Sequence, residues 1–93
     1  MRKENLDALK VQVLKTLMSL GYHDGLRIIN KNTVSFYLEK TEKGILVEVI
    51  NSHNSYLNPR PYLYRQVAKN LVEIGYSIQM TYPCYITVTE HVE

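Results

Sequence analysis

The most constraining feature of this chain is a pair of alternating runs joined by four turn residues. Over 33–40, Val34, Phe36 and Leu38 fall on one side, with Thr33, Ser35, Tyr37 and Glu39 on the other. Over 45–51, Ile45, Val47 and Val49 alternate with Leu46, Glu48 and Ile50. A period of two marks strands with one covered face and one wet face. Between them, Thr41-Glu42-Lys43-Gly44 is a compact turn, in which glycine accepts positive φ. An isolated hairpin is only marginally stable, so the rest of the chain must cover its apolar side.

Two amphipathic helices are available for that task. Leu6, Leu9, Val13, Leu17 and Leu20 form a stripe at helical spacing. Asn5 is placed to cap its start and Gly21 to end it, which predicts a helix over about 6–20. Asn58-Pro59-Arg60-Pro61 suits a second helix start, and Leu63, Val67, Leu71 and Ile74 form its stripe up to Gly75.

Three more strand-like runs complete the pattern. Leu26–Asn30 is short and is followed by the turn Asn30-Lys31-Asn32. Tyr76, Ile78 and Met80 alternate with Ser77, Gln79 and Thr81; Cys84, Ile86 and Val88 alternate with Tyr85, Thr87 and Thr89, across a Tyr82-Pro83 turn. Asn51–Asn58 reads as a polar loop. Leu20-Gly21-Tyr22 and Ile74-Gly75-Tyr76 make a weak internal echo, which helix capping by glycine explains as well as a repeat does. The expected fold is α+β and two-layered. An antiparallel sheet carries two helices on one face, in the order α-β-β-β-α-β-β, as one domain over 1–93.

Length agrees, since 93 residues supply one modest core and no second one. A 45% hydrophobic content with a net charge of +2 excludes a disordered chain. No apolar run approaches a membrane span, and Met1-Arg2-Lys3-Glu4-Asn5 leads into no apolar signal region. The single cysteine, Cys84, excludes an internal disulfide and Cys-pair zinc motifs, and on the presumed core face it reads as a small buried hydrophobe. A reducing cytoplasm is the expected setting.

Charge is unevenly spread. All 11 basic residues lie within 1–69, against six acidic ones, whereas 70–93 carries only Glu73, Glu90 and Glu93. A basic side suits a polyanion, and scattered solvated lysines suit any soluble surface. The uncovered sheet face is expected to show Arg27, Ile29, Ser35, Tyr37, Glu39, Leu46, Glu48, Ile50, Gln79, Tyr85 and Thr87. Eight tyrosines are many for this length, and exposed tyrosines give stacking area with a polar tip.

Two functional readings follow. In the first, DNA or RNA is bound. Arg27, Lys31, Lys40, Lys43, Arg60 and Arg65 anchor phosphates, while Tyr37, Gln79 and Tyr85 (with Ser35 and Thr87) contact bases or riboses. In the second, Ile29, Leu46, Ile50 and Tyr37 form a patch for another protein, and Glu39 and Glu48 oppose phosphate binding.

Chemistry has little support. The glycines at 21, 25, 44 and 75 are isolated, so there is no phosphate loop. His23, His53 and His91 form no helical metal pair, and a site from His23, Asp24, His53 and Cys84 has no spacing signature. The same holds for a metal-free nuclease set of His53, Arg60 and Tyr64. No enzyme, cofactor or metal is expected, and the residues choose neither monomer nor homodimer.

Several strings resemble a known family. They are Val13-Leu14-Lys15, Leu20-Gly21-Tyr22, 38–45 (Leu-Glu-Lys-Thr-Glu-Lys-Gly-Ile), 47–51 (Val-Glu-Val-Ile-Asn) and 73–77 (Glu-Ile-Gly-Tyr-Ser). Over about 12–89 the chain resembles the C-terminal double-wing DNA-binding domain of the MotA family of T-even phage middle-transcription activators. The shared positions are apolar-face, turn and cap residues. The resemblance implies a saddle-shaped sheet that meets DNA through its face and wings, in infected bacterial cytoplasm. The family's additional polymerase-contacting domain has no room here, which sets direct activation aside. The resemblance leaves two roles, adjusting transcription or countering a host defence factor. Glu39 and Glu48 on the contact face depart from the family's pattern.

Overall fold

The computed structural model describes residues 3–25, 33–50, 61–81 and 85–91. Helix α1 spans Lys3–Ser19 and α2 spans Pro61–Ile74; the strands are β1 (His23–Asp24), β2 (Ser35–Thr41), β3 (Gly44–Ile50), β4 (Tyr76–Thr81) and β5 (Tyr85–His91). The expected strand at 26–30, the turn at 30–32, the loop at 51–58 and the turn at 82–83 lie outside the described residues.

The sheet runs β1-β2-β3-β5-β4. β2 and β3 pair antiparallel from Ser35↔Ile50 to Thr41↔Gly44, so the hairpin read from the sequence forms. The Thr41 hydroxyl helps close the turn: its Oγ1 donates to Gly44 O at 3.0 Å and accepts from Lys43 N at 3.2 Å. β5 lies antiparallel between β3 and β4. Its pairing with β4 shifts at Ser77/Ile78, where β5 carries one extra residue, Thr89, whose hydroxyl donates to Ser77 O.

The sheet is mixed rather than wholly antiparallel, because β1 pairs parallel with β2 through His23↔Ser35 and Asp24↔Phe36. The cause lies at the end of α1. Gly21 takes φ +93°, and Gly21 N and Tyr22 N donate back to Met18 O and Leu17 O. The chain then leaves alongside the start of β2, with His23 N donating to Val34 O and Gly25 N to Phe36 O. The helix also starts earlier than the leucine stripe indicated, so Asn5 sits inside its first turn instead of capping it.

One core joins both helices to one sheet face. Leu6, Leu9, Val13 and Leu17 from α1 and Tyr64, Val67, Ala68 and Leu71 from α2 pack with Phe36, Ile45, Val47, Val49, Ile86 and Val88. Those strand residues share one face by register, so the two layers expected from the sequence are present. Three residues expected inside are exposed: Leu20 at 37%, Ile74 at 42% and Met80 at 42%. Leu20 and Ile74 lie at the helix ends, and Met80 lies on an outermost strand.

Three tyrosines tie the elements together, two of them between the layers. Tyr64 Oη donates to Tyr85 O at 2.7 Å, Tyr76 Oη meets Thr16 Oγ1 at 3.0 Å, and Tyr22 Oη accepts from Asn70 Nδ2 at 2.7 Å. Burial pushes the Tyr22 hydroxyl's pKa up, while the Asn70 bond pulls it down. Because the folded state disfavours tyrosinate, this contribution to stability is full below the unfolded value of about 10 and declines as pH rises above it. Denaturant midpoints measured from pH 8 to 11 should therefore fall less steeply for Tyr22→Phe than for the native chain. Equal slopes would show that Tyr22 does not titrate against folding.

Candidate recognition surface

The face turned away from the helices is built in cross-strand rows. One row reads Thr81, Tyr85, Glu48, Tyr37 across β4, β5, β3 and β2; the next reads Gln79, Thr87, Leu46, Glu39. Tyr37 is 46% exposed, Glu39, Gln79 and Thr81 are exposed, and Leu46, Glu48, Ile50, Tyr85 and Thr87 are half-buried. The alternation of each strand thus delivers Tyr37, Leu46, Ile50, Gln79 and Tyr85 to one surface, as expected. Ser35 does not join them, for it is fully buried and makes no part of an accessible face.

The electrostatics of this face differ from a phosphate footprint. Among the described residues it carries no lysine or arginine, and its carboxylates include Glu39 and Glu48. Glu48 pairs with Tyr37, so Glu39, two residues on, is its diagonal neighbour. Diagonal cross-strand positions lie about 7–8 Å apart, close enough for like charges to repel.

The cations sit elsewhere. Lys40 points to the helix side, as its parity with Phe36 and Leu38 requires, and forms an ion pair with Asp7 of α1. Both partners are partly exposed, so the pair is worth about 1 kcal/mol or less. It is nonetheless a layer contact rather than a phosphate anchor. Lys43 is exposed at the hairpin turn, and Arg65 is exposed on α2. Lys69 lies 3.8 Å from Glu73, one helical turn on. Arg27, Ile29, Lys31 and Arg60 lie outside the described residues, as do His53 and Cys84. The six expected nucleic-acid contacts that are described do not share one surface: Tyr37, Gln79 and Tyr85 are on the sheet, Lys40 and Arg65 on the helical side, and Lys43 at a tip.

Nor do the described residues assemble a reactive centre. Tyr64, weighed for nuclease chemistry, is 5% exposed and uses its hydroxyl to pin the start of β5. His91 stacks edge-on against Tyr76 at 4.8 Å, and its Nε2 lies 3.1 Å from Ile74 O, so it is engaged in holding the α2–β4 corner. An open groove of about 340 Å³ runs between α1 and the end of β5, lined by Asn5, Ala8, Leu9, Gln12, Thr89, Glu90 and His91. No cluster of metal-ligating side chains occurs among the described residues, and none of the described helices is long and apolar enough to cross a membrane.

No protein-family model, no curated protein and no solved structure matches this chain.

Proposed function

We infer that this is a non-enzymatic recognition module that docks another protein through the face of its sheet turned away from the helices. The observation that carries this reading is the diagonal pair Glu39 and Glu48, set among Tyr37, Tyr85 and Leu46, with no cation beside it among the described residues. Such a face repels a phosphate backbone. It suits a protein surface that brings arginine or lysine to the carboxylates and apolar groups to the tyrosines and Leu46. Arginine fits best, since its planar group can hydrogen-bond a carboxylate and stack on a tyrosine ring. In the setting that the resemblance to phage double-wing domains implies, the partner is a host factor and the outcome is its inhibition.

A second reading, nucleic-acid binding, is favoured by Lys43 at the hairpin turn and by Arg65 and Lys69 on α2. It would use the tip and the helical side rather than the sheet. Capture from bacterial lysate on the immobilised chain, with and without nuclease, separates the two. The protein reading expects a partner retained after nuclease, and loss of every captured protein on nuclease treatment would defeat it. The nucleic-acid reading expects a gel shift that weakens steeply between low and high salt.

A further inference from the structure

The two edges of the sheet are unlike. At one edge, among the described residues, β1 pairs only with Ser35 and Phe36 of β2, and further along β2 stand Glu39 and Lys40. Charges of this kind blunt an edge against pairing with another chain. At the other edge lies β4, six residues reading Tyr-Ser-Ile-Gln-Met-Thr, with no charge and no proline. Among the described residues no strand pairs beyond it. Its single protective device is the irregularity at Ser77/Ile78, which leaves the stretch from Ile78 to Thr81 regular.

Two exposed apolar side chains flank this edge. Met80 is 42% exposed although it pairs with buried Ile86 on the core side. Val72 of α2 is 54% exposed. Asn70 reaches toward the end of α1 to bond Tyr22, so Val72, two residues and about 200° further round the helix, points the opposite way, out past β4. Arg65 is seven residues from Val72 and therefore on the same side of the helix.

We propose that β4 is a homodimerisation edge, pairing antiparallel with β4 of a second copy about a two-fold axis at Gln79. Such an axis, normal to the sheet, sets Gln79 against Gln79, Ile78 against Met80 and Ser77 against Thr81. Each pair lies on a common face, as antiparallel pairing demands. Ile78 and Met80 then cover each other on the helix side, and hydroxyl-bearing residues meet on the other. No like charges are opposed, which is why a second copy fits this edge without adjustment. The two α2 helices would run antiparallel across the axis, Val72 of each near the aliphatic stem of the other's Arg65. The product is a ten-stranded sheet with both recognition faces on one side, so the inference is independent of what those faces bind.

Sedimentation equilibrium on the full chain tests it. A dimer is expected, dissociating on dilution because a single strand edge with a few side-chain contacts is a small interface. Gln79→Lys and Met80→Lys should each shift the chain to monomer, with circular dichroism unchanged. Gln79→Cys in a Cys84→Ser background should cross-link to a disulfide dimer on mild oxidation, since residues facing each other across the axis have Cα atoms about 4.5–5.5 Å apart. A native chain that is monomeric at every concentration overturns the proposal. So does a dimer that survives both lysine substitutions, or a folded Gln79→Cys variant that does not cross-link.

Discussion

Replacing Gly44 with alanine is expected to cost about 2–6 kcal/mol, a large share of the stability of a domain this size. Two independent causes add. Gly44 sits at φ +148°, a conformation that a side chain rarely adopts, worth about 1–3 kcal/mol. In addition, a Cβ at Gly44 would stand 2.2 Å from Val88 O, 3.1 Å from the Val88 carbonyl carbon and 3.2 Å from Thr89 Cα. These are backbone atoms of the neighbouring strand, so no rotamer change relieves the clash, and the strands must part or shift. Overpacking of this kind costs about 1–3 kcal/mol or more. The close approach falls where β5 carries its extra residue, so the hairpin turn and the β5 irregularity are fitted to each other. Gly21→Ala is the internal control. Gly21 also has positive φ, at +93°, but nothing lies within 4 Å of an added Cβ, so only the backbone term of about 1 kcal/mol applies. Urea unfolding of both variants checks the argument. If the two substitutions cost the same, the strand approach at Gly44 contributes nothing.

The same residue shows what a sequence reveals and what it withholds. That Gly44 ends a hairpin turn was legible from the alternation on either side of it. That it also serves as a gap for β5 was not, because the contact joins positions 44 and 88, and no local pattern encodes it. The leucine stripe of α1 and the even-numbered positions of β2 located most of the core for the same local reason. Where local pattern misled, tertiary position decided. Met80 keeps perfect alternation yet is exposed, because period two tells which face a residue is on and not whether its strand is central or outermost. β1 has only two residues, too few for any period, and its parallel pairing is set by where Gly21 sends the chain.

For the candidate site the lesson concerns tyrosine and lysine. The abundance of tyrosine read as recognition, but Tyr22, Tyr64 and Tyr76 spend their rings on the core and their hydroxyls on bonds between elements. An apolar body with a polar tip fits the rim of a small core as well as it fits a ligand. Tyr37 and Tyr85 are separated from these only by the strand parity that sends them to the other face. Lys40 was legible in the same way: its even number puts it with Phe36 and Leu38, where Asp7 meets it. Loop-tip charge alone did not distinguish it from Lys43.

Glu48→Lys is expected to abolish partner binding while leaving the fold as stable as before or slightly more so. In the native chain Glu48 lies diagonally from Glu39, so lysine at 48 replaces a repulsion with an attraction worth about 0.2–1 kcal/mol. Glu48 is half-buried on the face turned away from the helices and is not part of the core, so no core packing is lost to offset that gain. A partner that brings arginine or lysine to this point would meet a like charge between Tyr37 and Tyr85, the centre of its row. Contacts at the centre of an interface are where energy concentrates, and loss of more than about 2 kcal/mol, over 30-fold in affinity, is expected. The opposite signs carry the test, since a substitution that merely damaged the protein would lower stability and binding together. Thermal unfolding and capture from nuclease-treated lysate, run on the native chain and the variant, read the two quantities. If the variant captures the same partner undiminished, the face is not the docking surface. If it gains nucleic-acid affinity at low salt while the native chain already shows some, the phosphate-binding reading replaces the protein-docking one, because only a polyanion profits from a cation at that position.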